Sequence, residues 1–211
     1  FEGCNNLVKI TVPFVGQVNS IDNDNTVEQN EVFGWIYGYK GTGDVNDNAN
    51  YYIEPALKEV IITSDVIVGP YAFANADKIV KVTIPTTVTR LGDHAFYDAD
   101  ALTTVVLTDS EEDKCKITNI EDYTFAECDV LVMATLPESV QTIGSYVFYN
   151  CIANPNFTIQ NNVTSIGEYT FAYSDDKNDK AMLTTVTFEP TCQMTVISEG
   201  LFMNAGRLVM S

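Results

Sequence analysis

The stretch that sets the pattern of this chain is Val82-Thr83-Ile84-Pro85-Thr86-Thr87-Val88-Thr89-Arg90-Leu91-Gly92-Asp93-His94-Ala95-Phe96. Its closing phenylalanine is one of six anchors, which are separated in turn by 23, 29, 23, 23 and 31 residues. The two long intervals carry polar insertions near 109–114 and 175–180, and without them the period is close to 23. Such self-similarity predicts a stack of equivalent coils. The anchors are Phe73, Phe96, Phe125, Phe148, Phe171 and Phe202.

Each anchor has the same neighbours. An aliphatic residue stands five positions before it, often followed by glycine, and a small residue stands three positions after it. A stretch with apolar residues at alternate positions comes next and is often closed by proline, which predicts a short strand. The aliphatic positions are Val68, Leu91, Ile120, Ile143, Ile166 and Ile197.

One coil of about 23 residues cannot bury its own apolar side, so neighbouring coils must stack. The strands of successive coils then pair in a parallel sheet with rungs about 4.8 Å apart, and about eight rungs would extend for roughly 40 Å. The Ala-Phe segment, as at 95–96, is predicted to form a short helical or 3₁₀ turn on the opposite side. Its phenylalanine enters the core, and the anchors form a stacked ladder.

Residues 82–96, and residues 136–151 in the same way, resemble the BspA-like leucine-rich repeat. The resemblance covers residues 1–13 and 57–211, and it implies a leucine-rich-repeat solenoid in one domain spanning 1–211. Residues 14–56 resemble the long insertion that bacterial members carry. The family is typically secreted or displayed on cell surfaces and binds other macromolecules, and no catalytic residues come with it. Both ends of the sequence fall within a repeat, so we expect an excerpt of a longer chain.

The composition narrows the set of partners. Acidic residues number 29 against 11 basic ones, which gives a net charge of −18. A field of that sign repels phosphate backbones and anionic lipid surfaces, so we expect no nucleic-acid partner. No apolar run approaches the roughly 20 residues that a membrane span requires, so we expect no membrane insertion.

The parts needed for common catalytic sites are missing from the sequence. His94 is the single histidine, and it stands where other repeats have tyrosine, so we interpret it as a packing residue. There is no Gly-x-Ser-x-Gly motif and no phosphate-binding loop. Paired carboxylates remain conceivable, but the acids cluster in the insertions. We therefore predict that the chain is not an enzyme and has no cofactor.

The five cysteines occupy repeat positions rather than a metal motif. Cys4, Cys128 and Cys151 stand at the small position three residues after an anchor, and Cys115 and Cys192 each precede one by ten residues. We interpret all five as small core residues with free thiols. A bridge between Cys128 and Cys151 is conceivable because they lie on neighbouring rungs.

Calcium is the metal ion for which the acidic residues offer the most specific candidate site. Residues 44–50 alternate oxygen ligands, but Ala49 stands where a calcium loop needs glycine, and Pro55 where it needs glutamate. A polar loop is the simpler interpretation.

Two surfaces are candidates for binding. The first is the outward side of the strands, whose central ladder is rich in threonine and lacks aromatic residues; sheet-forming propensity alone would also explain this ladder. The second is the aromatic group in 14–56, whose rings could bind a partner or could instead cover one flank of the solenoid, anchored by Phe33 and Ile36. The candidate residues are Trp35, Tyr37, Tyr39, Tyr51, Tyr52, Thr83, Val106, Thr135, Thr158 and Thr187.

These observations favour a non-enzymatic adhesion or recognition module of an extracellular or surface-displayed bacterial protein, with a protein partner. One alternative is a spacer that holds another domain away from the cell. Another is a carbohydrate-binding surface built on Trp35 and its tyrosine neighbours.

Overall fold

The computed structural model describes residues 4–15, 33, 53, 55–65, 67–107, 114–133, 135–177 and 180–210. Twelve short strands lie within these ranges, and every pairing between them is parallel. In chain order they are β1 (Lys9–Val12), β2 (Glu59–Ile62), β3 (Ile67–Val68), β4 (Lys81–Ile84), β5 (Arg90–Leu91), β6 (Thr104–Leu107), β7 (Asn119–Ile120), β8 (Thr142–Ile143), β9 (Asn156–Ile159), β10 (Ser165–Ile166), β11 (Thr185–Phe188) and β12 (Val209–Met210).

The strands form three sheets on two sides of the coil. Strands β1, β2, β4 and β6 make one sheet, and β9, β11 and β12 continue the same side as another. The two-residue strands β3, β5, β7, β8 and β10 make a sheet of their own, built on the aliphatic position five residues before each anchor. A regular rung, such as the one with β4 and β5, contributes one long strand and one short strand, and the predicted parallel solenoid is confirmed.

The third side of the coil consists of turns rather than the helical or 3₁₀ turn that the sequence predicts. Residues two before and two after an anchor have positive φ, as at Tyr71 (56°) and Asn75 (55°), with Tyr173 as the exception among the six anchors from Phe73 to Phe202. The N–H of Phe73 consequently points along the stack and donates to Ala95 of the next rung at 2.6 Å, while Ala74 donates back within its turn to Tyr71 at 3.1 Å. A helix would direct all its N–H groups along its own axis and leave none for the neighbouring rung.

The anchor phenylalanines form one continuous stack through the core. Successive rings lie 5.2–5.9 Å apart, with interplanar angles of 26° or less. The predicted ladder is confirmed, and it gains a member: Phe33 is fully buried and stacks on Phe73 at 5.2 Å. One residue of the predicted insertion 14–56 thus occupies an anchor position.

Glycine follows the aliphatic position where rungs approach most closely. A Cβ added to Gly144 would lie 2.7 Å from the backbone nitrogen of Asp122 on the preceding rung. Such a contact is shorter than packed atoms allow, so a side chain there would force the rungs apart.

Some predicted core residues are exposed. Ile197 occupies the aliphatic position but is 60% exposed, because residues 192–199 form no strand and no described residue covers it. Cys115, Cys128 and Cys151 are buried as predicted. Cys4 is exposed, so its prediction as a core residue is wrong, and Cys192 is partly buried and packs against the edge of the core.

Replacing Phe125 with alanine should lower the free energy of unfolding by about 3–5 kcal/mol, because it removes a ring from the middle of the stack and leaves a cavity. Denaturant unfolding followed by circular dichroism measures this change. Met182→Ala, at an exposed position, is the control and should change stability by less than about 0.5 kcal/mol. Equal effects of the two substitutions would contradict the role of the stack.

Candidate functional site

The strand face is the surface formed by the outward side chains of β1, β2, β4, β6, β9 and β11. Its central ladder has the predicted register: Thr83 pairs with Val106, and Thr158 pairs with both Thr135 and Thr187. These five side chains are exposed or half-buried. The aromatic candidates Trp35, Tyr37, Tyr39, Tyr51 and Tyr52 lie outside the described residues.

One end of the strand face carries paired charges. Glu59 lies between Lys9 at 3.2 Å and Lys81 at 3.3 Å, on adjacent strands. Hydrogen bonds from Lys9 and Lys81 lower the pKa of the Glu59 carboxyl. These three residues belong to the outward ladder beside the central one, whose residues Thr83, Val106, Thr135, Thr158 and Thr187 are uncharged, so this end of the face is electrostatically distinct.

The strand face is interrupted after β6. Sheet pairing stops at β6 and resumes with the isolated pair Thr135–Thr158. Among the described residues, the last backbone hydrogen bond across the interruption runs from the Val132 N–H to the Thr103 carbonyl at 3.2 Å. Met133, which follows Val132 as Thr104 follows Thr103, is buried although Thr104 is exposed, and no backbone hydrogen bond between Met133 and β6 is found in the described residues.

The side chain of Asn154 holds the backbone of Met133 at the interruption. Its Oδ1 accepts from the Met133 N–H at 3.3 Å, and its Nδ2 donates to the Met133 carbonyl at 2.7 Å. The amide thus engages both backbone groups of Met133 and is itself buried. The other rungs have an aliphatic residue at this position, six residues after the anchor or beyond an insertion: Ile79, Leu102, Leu131 and Leu183.

A groove of about 310 Å³ opens at the interruption. Its apolar lining consists of Val105, Leu107, Met133, Leu136 and Pro137. Its polar lining consists of Thr135, Glu138 and Gln160.

The rim of the groove is acidic on one side. The Gln160 amide nitrogen donates to Glu189 Oε1 at 3.0 Å, and its oxygen lies 2.6 Å from Thr135 Oγ1, an orientation assigned from the hydrogen-bond network. Glu138 also lines the opening. The groove therefore combines an apolar floor with two carboxylates nearby, which is a typical composition for a binding pocket.

A larger groove of about 450 Å³ lies over the second sheet. Its acidic groups are already engaged: Glu121 pairs with Arg90 at 3.0 Å, and Asp122 accepts from the Ser145 N–H at 2.8 Å. These carboxylates hold the rungs together. A ligand-binding role is therefore less favourable for this groove than for the groove at the interruption.

On the turn side, half-buried rings form a second stack. His94 lies between Tyr71 at 4.9 Å and Tyr123 at 4.6 Å, which confirms its interpretation as a packing residue. Tyr146 and Tyr169 extend the stack.

Acidic residues line the turn side beside this stack, and one lysine reaches across them. Lys177, from the second polar insertion, donates to Glu127 at 2.9 Å and to Asp129 at 2.6 Å. These interactions raise the lysine pKa in spite of the opposing effect of burial. Burial, followed by repulsion from Asp100, raises the pKa of Asp98.

Replacing Asp98 with asparagine removes a charge that burial and Asp100 disfavour, so it should raise the free energy of unfolding at pH 7. The gain should be at most about 1 kcal/mol, because solvent screens the interactions of partly exposed charges. Asparagine already occupies the equivalent left-handed position at Asn75 and Asn150. Because the pKa of Asp98 is raised in the folded state, the wild type is relatively more stable when this carboxyl is protonated. The difference should therefore shrink as the pH falls through the folded pKa towards 3.8.

Denaturant unfolding at a series of pH values measures the effect. Asp129→Asn is the control, because it removes a partner of Lys177 and should give no gain. A gain from Asp98→Asn that persisted at low pH would contradict the electrostatic explanation.

The surroundings of the buried Cys128 and Cys151 thiols disfavour their reaction. Cys128 Sγ donates to the Phe96 carbonyl and Cys151 Sγ to the Phe125 carbonyl, each at 3.0 Å. Burial raises the pKa of Cys128 to about 12 and that of Cys151 well above its ordinary value. Neither Cys128 nor Cys151 is in a disulfide, so the conceivable bridge between them is not formed.

In the native protein, a thiol reagent should modify Cys4 quickly, whereas Cys128 and Cys151 should react only after unfolding, because a buried protonated thiol is a poor nucleophile. Peptide mass mapping after a short exposure distinguishes the sites. Modification of Cys151 at the rate of Cys4 would contradict the described packing.

Two classes of site are not found in the part of the chain that the structure describes. It contains no group of three or more His, Cys, Asp or Glu side chains placed to hold a metal ion. It also contains no helix with the length and apolar character to cross a membrane. The calcium candidate at 44–50 lies outside the described residues.

The fold and its strand face define a leucine-rich-repeat solenoid. The family model for the BspA type leucine rich repeat region matches six copies over residues 44–178 and 113–209. The chain belongs to this family.

Solved structures of bacterial leucine-rich repeat proteins are similar to it. The T. pallidum leucine rich repeat protein is 27% identical over 72% of this chain and 67% of its own, with a TM-score of 0.61. The Bacteroides ovatus ATCC 8483 protein is 26% identical over 74% of this chain and 39% of its own, with a TM-score of 0.61. The Eubacterium ventriosum ATCC 27560 protein is 26% identical over 64% of this chain and 33% of its own, with a TM-score of 0.53.

The chain thus spans about two-thirds of the length of the first of these proteins and well under half of the other two. No curated protein matches the sequence.

Proposed function

We propose that this chain is a non-enzymatic protein-binding module of a bacterial surface or secreted protein, and that its strand face contacts an extracellular protein partner. The observation that carries the proposal is the strand face itself: an in-register, largely uncharged ladder with one apolar groove. Leucine-rich repeats of this family typically serve as interaction scaffolds, which supports the same class of role.

The physical character of the strand face favours a protein partner over the alternatives. Its outward ladders contain no aromatic side chain in the described strands, and sugars bind best where rings can stack on them. The net charge of −18 disfavours polyanions such as nucleic acid. Threonine and valine on parallel strands offer a flat surface that many protein side chains could cover.

Two other functions keep a place as alternatives. A spacer would need no binding surface, and a catalytic or anchoring domain in the same polypeptide would favour it. A carbohydrate surface would rest on Trp35 and its tyrosine neighbours, and a glycan array without signal would exclude it.

Calcium binding at 44–50 would be tested by titrating calcium into chelator-treated protein.

The test compares two surfaces with the same chemical change. The triple variant Thr83→Lys, Thr158→Lys and Thr187→Lys places three ammonium groups on the strand face. The control variant Asn119→Lys, Thr142→Lys and Ser165→Lys places them on the outward positions of the second sheet. Both variants change the net charge equally, so long-range electrostatics is matched.

Binding to an array of extracellular proteins, followed by surface plasmon resonance on any hit, should be lost or reduced at least tenfold in the strand-face variant only. The bulky charged side chains would block close contact and would have to be desolvated. Equal binding by both variants would exclude the strand face as the interaction surface.

A further inference from the structure

Asn154 is a buried polar side chain that stands where the equivalent rungs have leucine or isoleucine. Burying an amide in place of an aliphatic side chain is unfavourable unless its hydrogen bonds are made. Here they are made to the backbone of Met133, at 3.3 and 2.7 Å. The structure thus retains a polar residue whose hydrogen bonds hold the backbone of Met133 away from β6.

The consequence is an open strand edge inside the solenoid. The Thr104 N–H donates to Val80 on the preceding side, at 3.3 Å. Because backbone groups of a parallel strand alternate in direction, Val105 and Leu107 direct theirs towards the interruption. Among the described residues, β6 pairs with β4 alone, so these groups have no strand partner there.

The backbone groups at the open edge of β6 determine which kind of ligand can bind there. Alternating N–H and C=O groups at strand spacing are best satisfied by another extended backbone, as in strand addition. The groove beside them, about 310 Å³ with an apolar floor, can take an apolar side chain from such a segment. Glu138 and Glu189 near the rim would attract lysine or arginine beside that side chain.

We propose that the groove at the β6 interruption binds an extended polypeptide segment, which pairs with Val105 and Leu107, inserts an apolar side chain over Met133 and Leu136, and carries basic residues alongside. This inference rests on the proposed function and specifies where on the strand face the partner is held and by what chemistry. The Asn154 amide acts as a positioning group that keeps the edge open.

The experiment uses Asn154→Leu, which restores the residue type of the other rungs. The variant should fold, because leucine occupies the equivalent position at Leu102 and Leu131. It should free Met133 to pair with β6 and so close the edge. Asn119→Leu, an exposed position on the second sheet, is the matched control.

The first readout needs no ligand. Amide hydrogen exchange by NMR should show fast exchange at Val105 and Leu107 in the free wild type and in Asn119→Leu. The same amides should exchange at least tenfold more slowly in Asn154→Leu. Protection of both amides in the free wild type would mean that the edge is already covered, and would overturn the proposal.

The second readout is selection from a phage-displayed library of random 12-residue peptides on the wild-type protein. Selected peptides should share an apolar residue flanked by lysine or arginine, and their affinity should fall at least tenfold on Asn154→Leu. Leu107→Lys, which removes an apolar group from the groove and puts a positive charge beside the basic residues of the peptide, should give the same loss even if Asn154→Leu does not close the groove. Asn119→Leu should bind as the wild type does.

The absence of selected peptides, or peptides that bind both groove variants as tightly as the wild type, would overturn the inference. The proposed function would survive that result if the lysine variant of the strand face still lost its protein partner. Retention of the protein partner by that variant, together with groove-dependent peptides, would instead place peptide binding apart from the proposed interface.

Discussion

The structure depends on one constraint: a coil of about 23 residues can bury its apolar side chains only against the coil before it and the coil after it. The stack of anchor phenylalanines is the clearest expression of this constraint, because the rings from Phe73 to Phe171 are each covered on both faces by neighbours at 5.2–5.9 Å. The strands and turns are arranged so that their backbone hydrogen bonds run in the same direction as that stack.

The turn side shows what this arrangement costs. Residues such as Tyr123 and Tyr146 adopt left-handed backbone conformations at φ 53° and 57°, which are unfavourable for residues with a side chain. In return, alternate N–H groups reach the next rung, as when Tyr123 donates to Ser145 at 3.0 Å, and the two rings stack 4.7 Å apart. Pairing between rungs therefore outweighs local preference.

Pairing between rungs also explains how the structure tolerates the interruption of the strand face. The second sheet and the turns remain continuous past β6, since β5 pairs with β7 and Phe96 donates to Thr124 at 2.8 Å. Two sides of the coil thus hold the rungs together while the third side opens. The rungs therefore stay joined although the strand face opens into a groove beside one buried amide.

The sequence by itself determined the repeat, the register of the central ladder and the core position of the anchors, because these follow from a period that every rung must share. It also placed His94 among tyrosines. The turn conformation was decided by hydrogen bonds between rungs, which no single repeat reveals. Phe33 as an anchor was hidden by the irregular length of its repeat, although Val32-Phe33 resembles Val147-Phe148. Asn154 left a visible signal, a polar residue in an aliphatic position, but its contact with Met133 of the preceding rung exists only in the stacked structure.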